Sequence, residues 1–183
     1  DYRDLWTDHH LWTGLPVLRA WERRYEDRLM RAADVITTVS EPLARTLRAR
    51  HGDRVRVIEN GVDADDFATL DPAPIFPPDG KTRIVYTGTV YERQDPAPLL
   101  QALAEIATER GGARLIEQIE VIFVTRSTAR VARAVRRFGV SAFVRVLRLV
   151  LRTTALRMQR DADLLLFLPW TDPAADGILT GKV

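Results

Sequence analysis

The segment RVRVIENGVDADDFATLDPAPIFPPDGKTRIVYTG (54–88) contains two strand-like runs separated by a proline-rich passage. The runs are RVRVIE (54–59) and TRIVYTG (82–88), and the passage between them contains four prolines and Gly80. A helix or a sheet ladder does not tolerate this much proline, because proline lacks an N–H donor and its φ angle is fixed. We therefore predict a hinge over 60–81 between two half-domains, and we expect any active site in the cleft between them.

Composition narrows the class of protein. The chain has 183 residues, of which 46% are hydrophobic, and this is enough for a packed core. Arginines are interleaved with acidic residues and the net charge is only +2, which argues against nucleic-acid binding. The absence of cysteine excludes disulfides and thiolate metal sites and favours a reducing compartment. The chain opens with Asp and its end shows no closing element, so we expect a piece of a longer protein.

Strand-like and helix-like segments alternate on both sides of the hinge. Because helix-length crossovers connect the strands, this order predicts an α/β fold with parallel sheets, and ligands bind such sheets at the carboxyl ends of the strands. The predicted strands are 34–40, 54–59, 82–88, 119–125, 144–150 and 164–169. The residues at their carboxyl ends include Ser40, Asn60, Gly88, Thr125 and Pro169.

A helix is predicted from Pro16 to about Ala33, with apolar residues at steps of three and four. The apolar stripe consists of Leu18, Trp21, Tyr25, Leu29 and Ala33. We interpret it as facing the core, with a solvated basic back. Contact of the basic and aromatic residues with anionic lipid is the alternative.

Three residues are candidates for binding an anionic ligand. Gly88 directly follows a strand and lets a bulky ligand approach the backbone, although a simple turn also uses glycine there. Arg93 lies in the following loop and is suited to a diphosphate, the alternative being a surface ion pair with a neighbouring acid. Lys182 offers a point charge near the end of the chain, the alternative being a solvated lysine.

Other known nucleotide-binding and metal-binding motifs are absent or do not indicate a site. No G-x-G-x-x-G or P-loop sequence occurs, which argues against a dehydrogenase or a P-loop enzyme. The pair His9-His10 lacks a sensibly spaced third ligand, so we predict no metal site there. The D-x-D sequences at 161–163 and 63–65 are interpreted as helix-end, strand-entry and turn residues.

Several segments together resemble glycosyltransferases of the GT-B fold, in the large retaining group called family 4. ADVITTVSE (33–41) resembles the family's ADxIxxVSE strand, and VIENGVD (57–63) resembles VIPNGVD at the end of the first domain. IVYTG (84–88) followed by LLQAL (99–103) is similar to the opening of the second domain. DADLLL (161–166) with GILTGKV (177–183) resembles the approach to the donor site. DYRDLWT (1–7) resembles the DxRDxW loop of a bacterial subgroup that builds cell-surface polysaccharide.

The resemblance implies two Rossmann-like half-domains of the GT-B type, truncated at both ends. Residues 1–78 would be the later part of the acceptor domain plus the linker, and residues 79–183 the first part of the donor domain. The implied enzyme is a retaining, metal-independent, hexosyltransferase-like glycosyltransferase without a cofactor. It would move a sugar from a nucleotide-diphosphate-sugar to a hydroxyl of a saccharide or lipid-linked acceptor, in the bacterial cytoplasm and at the inner face of the membrane.

The resemblance also implies site residues. The catalytic acid would lie beyond Val183, so the chain alone is expected to be inactive. The acceptor side would include Arg3 and Asp4, where many members carry a His. Thr89 and Gln94 stand where many members carry Arg and Lys. The donor-binding residues would be Gly88, Thr89, Arg93, Thr125, Gly181 and Lys182.

Two other classes of function stay open. The chain is alternatively a non-catalytic α/β regulatory or interaction module, or a sugar-nucleotide epimerase with the same two-domain shape. An epimerase would isomerise the donor, whereas a transferase would release free diphosphate nucleotide.

Overall fold

The computed structural model describes residues 1–9 and 11–171. Over these residues the protein is α/β, and every strand pairing is parallel, which confirms the predicted fold class. The contacts divide the described residues into two compact units, of which Asp1–Val62 forms most of the first and Asp63–Pro169 the second. The proline-rich passage belongs to the second unit. The assignment of the two units as acceptor and donor domains stays a prediction.

The first unit contains a two-stranded parallel sheet and two long helices. Its elements are α1 (Pro16–Ala32), β1 (Ile36–Thr38), α2 (Glu41–His51), a 3-10 turn (Gly52–Arg54) and β2 (Val55–Val57). Ile36 pairs with Val55, and Tyr2 bridges to Thr38 on β1. The core is formed by Tyr2, Ile36, Ala44, Leu47 and Val55.

Local sequence signals mark both ends of helix α2. The Ser40 hydroxyl accepts a hydrogen bond from the Leu43 N–H at 3.5 Å, and Pro42 occupies the first turn. Gly52 follows the last residue with a φ of 68°, a conformation that glycine adopts without strain.

Helix α1 has the predicted length, but the interpretation of its apolar stripe as core-facing is wrong. Leu18, Trp21, Tyr25 and Leu29 are exposed, and the only fully buried residue of the helix is Glu26. The helix instead turns a polar row toward the rest of the unit. The reason is that charged and hydroxyl groups from the N-terminal segment and from α2 form hydrogen bonds with the polar residues of this row.

Glu26 is the centre of that polar row. Its side chain is 1% exposed and accepts hydrogen bonds from the hydroxyls of Tyr2, at 2.8 Å, and Thr7. Arg50 on α2 donates to Glu26 at 3.3 Å, to Asp27 at 2.6 Å and to Asp8 at 2.9 Å. A buried carboxylate is tolerated only with such partners, so this network fixes which face of α1 points inward.

His51, the last residue of α2, is expected to make the stability of the first unit depend on pH. Burial, and after it the charge of Arg50, lower the pKa of its imidazole. The unfolded chain then takes up a proton before the folded one does, so the stability is complete above about pH 6.5 and falls as the pH falls. We expect acidification from about pH 7.5 to about 5.5 to lower the urea midpoint more in the natural protein than in a His51→Gln variant. Equal losses in the two proteins would contradict this.

The second unit contains a four-stranded parallel sheet in the order β5-β4-β3-β6. Its strands are β3 (Thr82–Thr87), β4 (Ile119–Val124), β5 (Val144–Leu147) and β6 (Leu164–Leu165). Its helices are α3 (Asp65–Ala68), α4 (Ala97–Thr108), α5 (Gly112–Glu117), α6 (Thr128–Phe138) and α7 (Arg152–Arg160). One core cluster gathers around Phe123, Leu100 and Val131, and Val85, Ile122 and Met158 form part of another.

The proline-rich passage is attached to this unit by specific contacts. Ile75 and Phe76 pack against the cluster around Val85, and the Ile75 N–H donates to the Asp161 carboxylate at 2.8 Å. Asp79 forms an ion pair with Arg83 at 2.7 Å, and this hydrogen bond lowers the pKa of Asp79 to about 2. The Arg83 guanidinium also contacts Glu120 on β4 at 3.1 Å. These contacts fix the entry to β3.

Several elements differ from the prediction. Helix α5, which begins at Gly112, was not predicted, and α3 forms where we predicted a turn. Strands β5 and β6 are shorter than predicted. In the part of the chain that the structure describes, no helix combines the length and the apolar character that crossing a membrane requires.

Candidate functional site

The first unit carries a pocket of about 210 Å³ at the carboxyl ends of β1 and β2. Asn60 and Gly61, which follow β2, line part of it, and Ile58 is one of its apolar residues. Asp1, Arg3, Glu59 and Asn60 supply hydrogen-bond donors and acceptors. The complete lining is Asp1, Arg3, Thr37, Val39, Ile58, Glu59, Asn60 and Gly61.

Tyr2 positions the N-terminal side of this pocket. Its N–H donates to the Thr37 carbonyl at 2.6 Å, and its ring points into the core, where its hydroxyl donates to Glu26. Burial, with the neighbouring Glu26, raises the pKa of this hydroxyl, which therefore stays a donor. Successive side chains of an extended segment point in opposite directions, so Asp1 and Arg3 face the pocket.

The pocket includes one of the two predicted acceptor-side residues. Arg3 is part of the lining, and its guanidinium lies 4.0 Å from the Asp1 carboxylate. Asp4 is exposed and is not part of the lining. The Asp1 carboxylate accepts from the Thr37 hydroxyl at 3.1 Å, which ties the segment to β1.

The second unit places Gly88 at the carboxyl end of β3. Its N–H donates to the Val124 carbonyl at 2.8 Å. Its φ is 134°, a value that residues with side chains rarely adopt. The next N–H, that of Thr89, donates no hydrogen bond within the described residues. An unpaired N–H after a strand end is one of the groups that bind anions in α/β proteins.

The loop that Gly88 opens, residues 88–95, is held in place mainly by Arg130 in the first turn of α6. Its guanidinium donates to the carbonyls of Tyr91, Glu92 and Gln94, the second at 2.6 Å and the third at 3.2 Å. The Ser127 hydroxyl donates to the Val90 carbonyl at 2.8 Å. With these carbonyls occupied, the loop backbone has a defined conformation.

Two further side chains fix the ends of this loop. Tyr86 donates from its hydroxyl to the Thr89 carbonyl at 2.8 Å, and burial raises its pKa to about 12, so the proton is retained. Gln94 is buried; its amide donates to the Leu168 carbonyl at 2.9 Å, and its oxygen accepts from the Tyr91 N–H at 3.3 Å. The residue that stands in place of the family's lysine therefore joins the loop to the chain after β6.

The other predicted donor-side residues fall in different environments. Arg93 lies exposed in the loop. Thr125 is 0% exposed, and its hydroxyl accepts from the Ser127 N–H at 3.0 Å, so it shapes the turn after β4 and presents no group at the surface. Gly181 and Lys182 lie outside the described residues.

The acidic D-x-D sequences have main-chain partners. Asp161 accepts from the Ile75 N–H, and Asp163 accepts from the Arg83 N–H at 2.7 Å. A hydrogen bond from Arg160 lowers the pKa of Asp161. Asp63 accepts from the Asp65 N–H at 3.0 Å and starts α3. Within residues 1–9 and 11–171, no three His, Asp or Glu residues group as metal ligands would.

Sequence reasoning missed Arg130 and the role of Gln94. Arg130 is 39 residues from Tyr91 in the chain, and nothing in one sequence separates it from the many other arginines. Gln94 carried a weak signal, because it is an unusual substitution within a segment that otherwise resembles the family.

Comparison with known proteins gives a family-model match over part of the chain and a similarity of fold. The family model described as Glycosyltransferase Family 4 matches residues 2–66, nearly the span of the first unit. Among solved structures, the chain is similar to TarM of S. aureus, with a TM-score of 0.53 and 12% identity. The match covers 79% of this chain and 27% of TarM, so the chain spans about a quarter of that protein. The TarM structure is of a mutant in complex with fondaparinux, alpha-GlcNAc-glycerol and UDP. No curated protein sequence matches the chain.

Proposed function

Because the chain is family 4-like in sequence and GT-B-type in fold, we propose that the protein containing it transfers a sugar from a nucleotide-diphosphate-sugar to an acceptor hydroxyl. The second unit would bind the donor and the first unit the acceptor. The acceptor would be a saccharide or a lipid-linked saccharide of bacterial cell-surface polysaccharide or glycolipid synthesis. The reaction would take place in the cytoplasm, at the inner face of the membrane.

The observation that carries this proposal is the loop after β3. It lies at the carboxyl end of a parallel strand, where ligands of α/β sheets bind, and it begins with a glycine, which has no side chain to block a ligand. The Thr89 N–H, which has no acceptor in the described part of the chain, is oriented by a loop that Arg130 holds. The presence of UDP in the TarM complex supports a nucleotide diphosphate as the ligand.

We propose a retaining reaction that uses no bound metal, as the family resemblance implies. Negative charge then develops on the leaving diphosphate and must be stabilised by N–H groups and cationic side chains. Arg93 in the loop and Lys182 near the end of the chain are the residues to which we assign this role, with the Thr89 N–H. A carboxylate beyond Val183 would contact the donor sugar.

The pocket of the first unit is suited to an acceptor hydroxyl. A sugar ring presents hydroxyl groups and C–H groups, and the lining includes charged and amide residues for the first and apolar residues for the second. Its volume of about 210 Å³ is smaller than the ~300–1,000 Å³ of drug-sized sites and suits a single sugar residue. Arg3 and Asn60 would donate hydrogen bonds to sugar oxygens, and Asp1 and Glu59 would accept them.

The test is calorimetric titration of UDP or GDP into the full-length protein. We expect the combined Arg93→Ala and Lys182→Ala variant to bind about tenfold more weakly or worse, because charge-assisted hydrogen bonds contribute ~1.5–3 kcal/mol each. The matched control replaces Arg110 and Lys81, which also removes one arginine and one lysine. Lys81 precedes β3 and Arg110 follows α4, so both are remote from the loop. Equal affinity in the two double variants would refute the donor site.

Product analysis tests the reaction class. A transferase releases free nucleoside diphosphate together with a glycosylated acceptor. An isomerised donor with no free diphosphate would instead identify an epimerase. Binding without any turnover in the presence of a mixture of saccharide acceptors would favour a non-catalytic module.

A further inference from the structure

The outward side of α1 carries an exposed apolar and aromatic surface, which we call the α1 outer face. It consists of Val17, Leu18, Trp21, Tyr25 and Leu29, whose exposed fractions lie between 41% and 79%. Trp21 and Tyr25 stack with ring centroids 6.0 Å apart, and Trp6 meets Tyr25 edge-on at 6.1 Å. A contiguous patch of this kind on a helix is typical of an interaction surface.

Three arginines border this face. Arg24, Arg28 and Arg31 follow each other at steps of four and three residues, so they form a row beside the apolar one. All three are exposed, and none forms an ion pair within the described residues. The face therefore combines apolar side chains with positive charge that the described residues do not neutralise.

The opposite side of α1 is already occupied, so the helix cannot turn its apolar face inward. Arg19 donates to the Thr7 carbonyl at 2.8 Å, and Glu22 accepts from the Trp12 indole at 3.0 Å. Glu26 is buried among its hydroxyl and guanidinium partners. Rotating α1 would bury the arginine row and break this network.

We propose that the α1 outer face docks on the surface of an anionic phospholipid bilayer. An amphipathic helix with aromatic and aliphatic residues beside arginines binds in the headgroup plane, where the apolar groups enter the acyl boundary and the arginines meet phosphates. Trp and Tyr favour this depth because their rings are apolar with one polar group. This inference deepens the proposed location at the membrane but rests on α1 alone, and not on sugar transfer.

Charge argues against the two other occupants of this face. A further protein segment that covered the apolar residues would also lie beside the bordering arginine row and would need acidic partners for it, because a guanidinium that is buried unpaired is costly. A second copy of this chain would bring the two arginine rows close together, and like charges facing each other disfavour association. A layer of anionic headgroups satisfies both the apolar and the cationic groups.

The experiment is vesicle co-sedimentation of the full-length protein in the absence of donor and acceptor. Vesicles of phosphatidylcholine alone are compared with vesicles that also contain phosphatidylglycerol. We expect binding to the anionic vesicles, and at least about tenfold weaker binding when Arg24, Arg28 and Arg31 are all changed to Ser, because each arginine near an anionic surface contributes about fivefold.

The matched control for this triple variant lies on α6. It changes Arg133, Arg136 and Arg137 to Ser, three exposed arginines with the same total charge. Because these residues lie away from α1 in the chain and on another helix, the control should leave vesicle binding unchanged. Equal losses in the two triple variants would refute the proposal.

A second variant tests how much the apolar side chains contribute to vesicle binding. Oxidative labelling tests whether lipid or the protein itself covers the α1 outer face. Leu18→Ser with Trp21→Ser removes apolar side chains without changing charge, and we expect it to weaken binding to anionic vesicles about tenfold or more. Oxidative labelling of Trp21 should be strong in the vesicle-free monomer and fall when anionic vesicles are added. Protection of Trp21 before vesicles are added would show that the protein itself covers this face, and would overturn the proposal. These readouts stand whether or not the protein transfers sugar.

Discussion

Replacing Glu26 by alanine is expected to lower the free energy of unfolding of the first unit by about 3–5 kcal/mol. The substitution removes the acceptor shared by the Tyr2 and Thr7 hydroxyls and one carboxylate partner of Arg50. The hydroxyls and the guanidinium stay buried without this partner, and their desolvation is then uncompensated. Urea unfolding of the full-length protein measures the loss, and hydrogen exchange of the α2 amides assigns it to the first unit.

The matched control is Glu22→Ala, one turn earlier on the same helix. Glu22 is partly exposed and, within the described residues, accepts one hydrogen bond, from the Trp12 indole. We expect this variant to lose about 1 kcal/mol or less, because one partly solvated hydrogen bond contributes little net stability. If both variants lose the same stability, the buried network does not fix the inward face of α1.

The alternation of elements could be predicted because its signals are local. The Ser40 cap and the glycine after His51 define α2 within a few residues of chain. The β-branched runs of 82–88 and 119–125 similarly identify β3 and β4. Helix α5 was missed because glycine is typical of a helix end, whereas here α4 already ends at Thr108, and Gly111 and Gly112 begin the next helix.

The face of α1 could not be predicted because it depends on distant partners. An apolar stripe at helical spacing fits burial in a core and burial at an interface equally well. The inward face is decided by Arg50 and Tyr2, each 24 residues from Glu26. Their guanidinium and hydroxyl groups donate hydrogen bonds to Glu26 and so allow its carboxylate to be buried. This arrangement is a property of the tertiary fold, and spacing within the helix carries no sign of it.

The candidate site could be predicted only where its signals are local. Gly88 was identified because a glycine after a strand is a local signal, and Arg3 because it lies in a segment that resembles a family loop. Thr125 was assigned by its position at a strand end alone. The structure turns its hydroxyl inward, toward the Ser127 N–H, because the tight turn before α6 needs an acceptor there.

Replacing Arg130 by alanine is expected to release the 88–95 loop. The guanidinium donates three hydrogen bonds to loop carbonyls, and their loss should reduce the free energy of local opening by about 2–3 kcal/mol. Exchange of the loop amides should then accelerate by roughly 30-fold to 150-fold, while exchange in β4 stays unchanged. UDP or GDP affinity should fall by about tenfold or more, because a disordered loop must be ordered again when the ligand binds.

The control is Arg133→Ala, three residues further along α6 with an exposed side chain. It removes the same charge from the same helix without touching the loop, and it should change neither loop exchange nor nucleotide affinity. The two measurements test separately whether Arg130 holds the loop and whether the loop binds the donor. Faster loop exchange with unchanged nucleotide affinity would show that Arg130 holds the loop but that the loop is not part of the donor site. Unchanged exchange in Arg130→Ala would show that Ser127, Tyr86 and Gln94 hold the loop without it, and the role of Arg130 in holding the loop would be refuted.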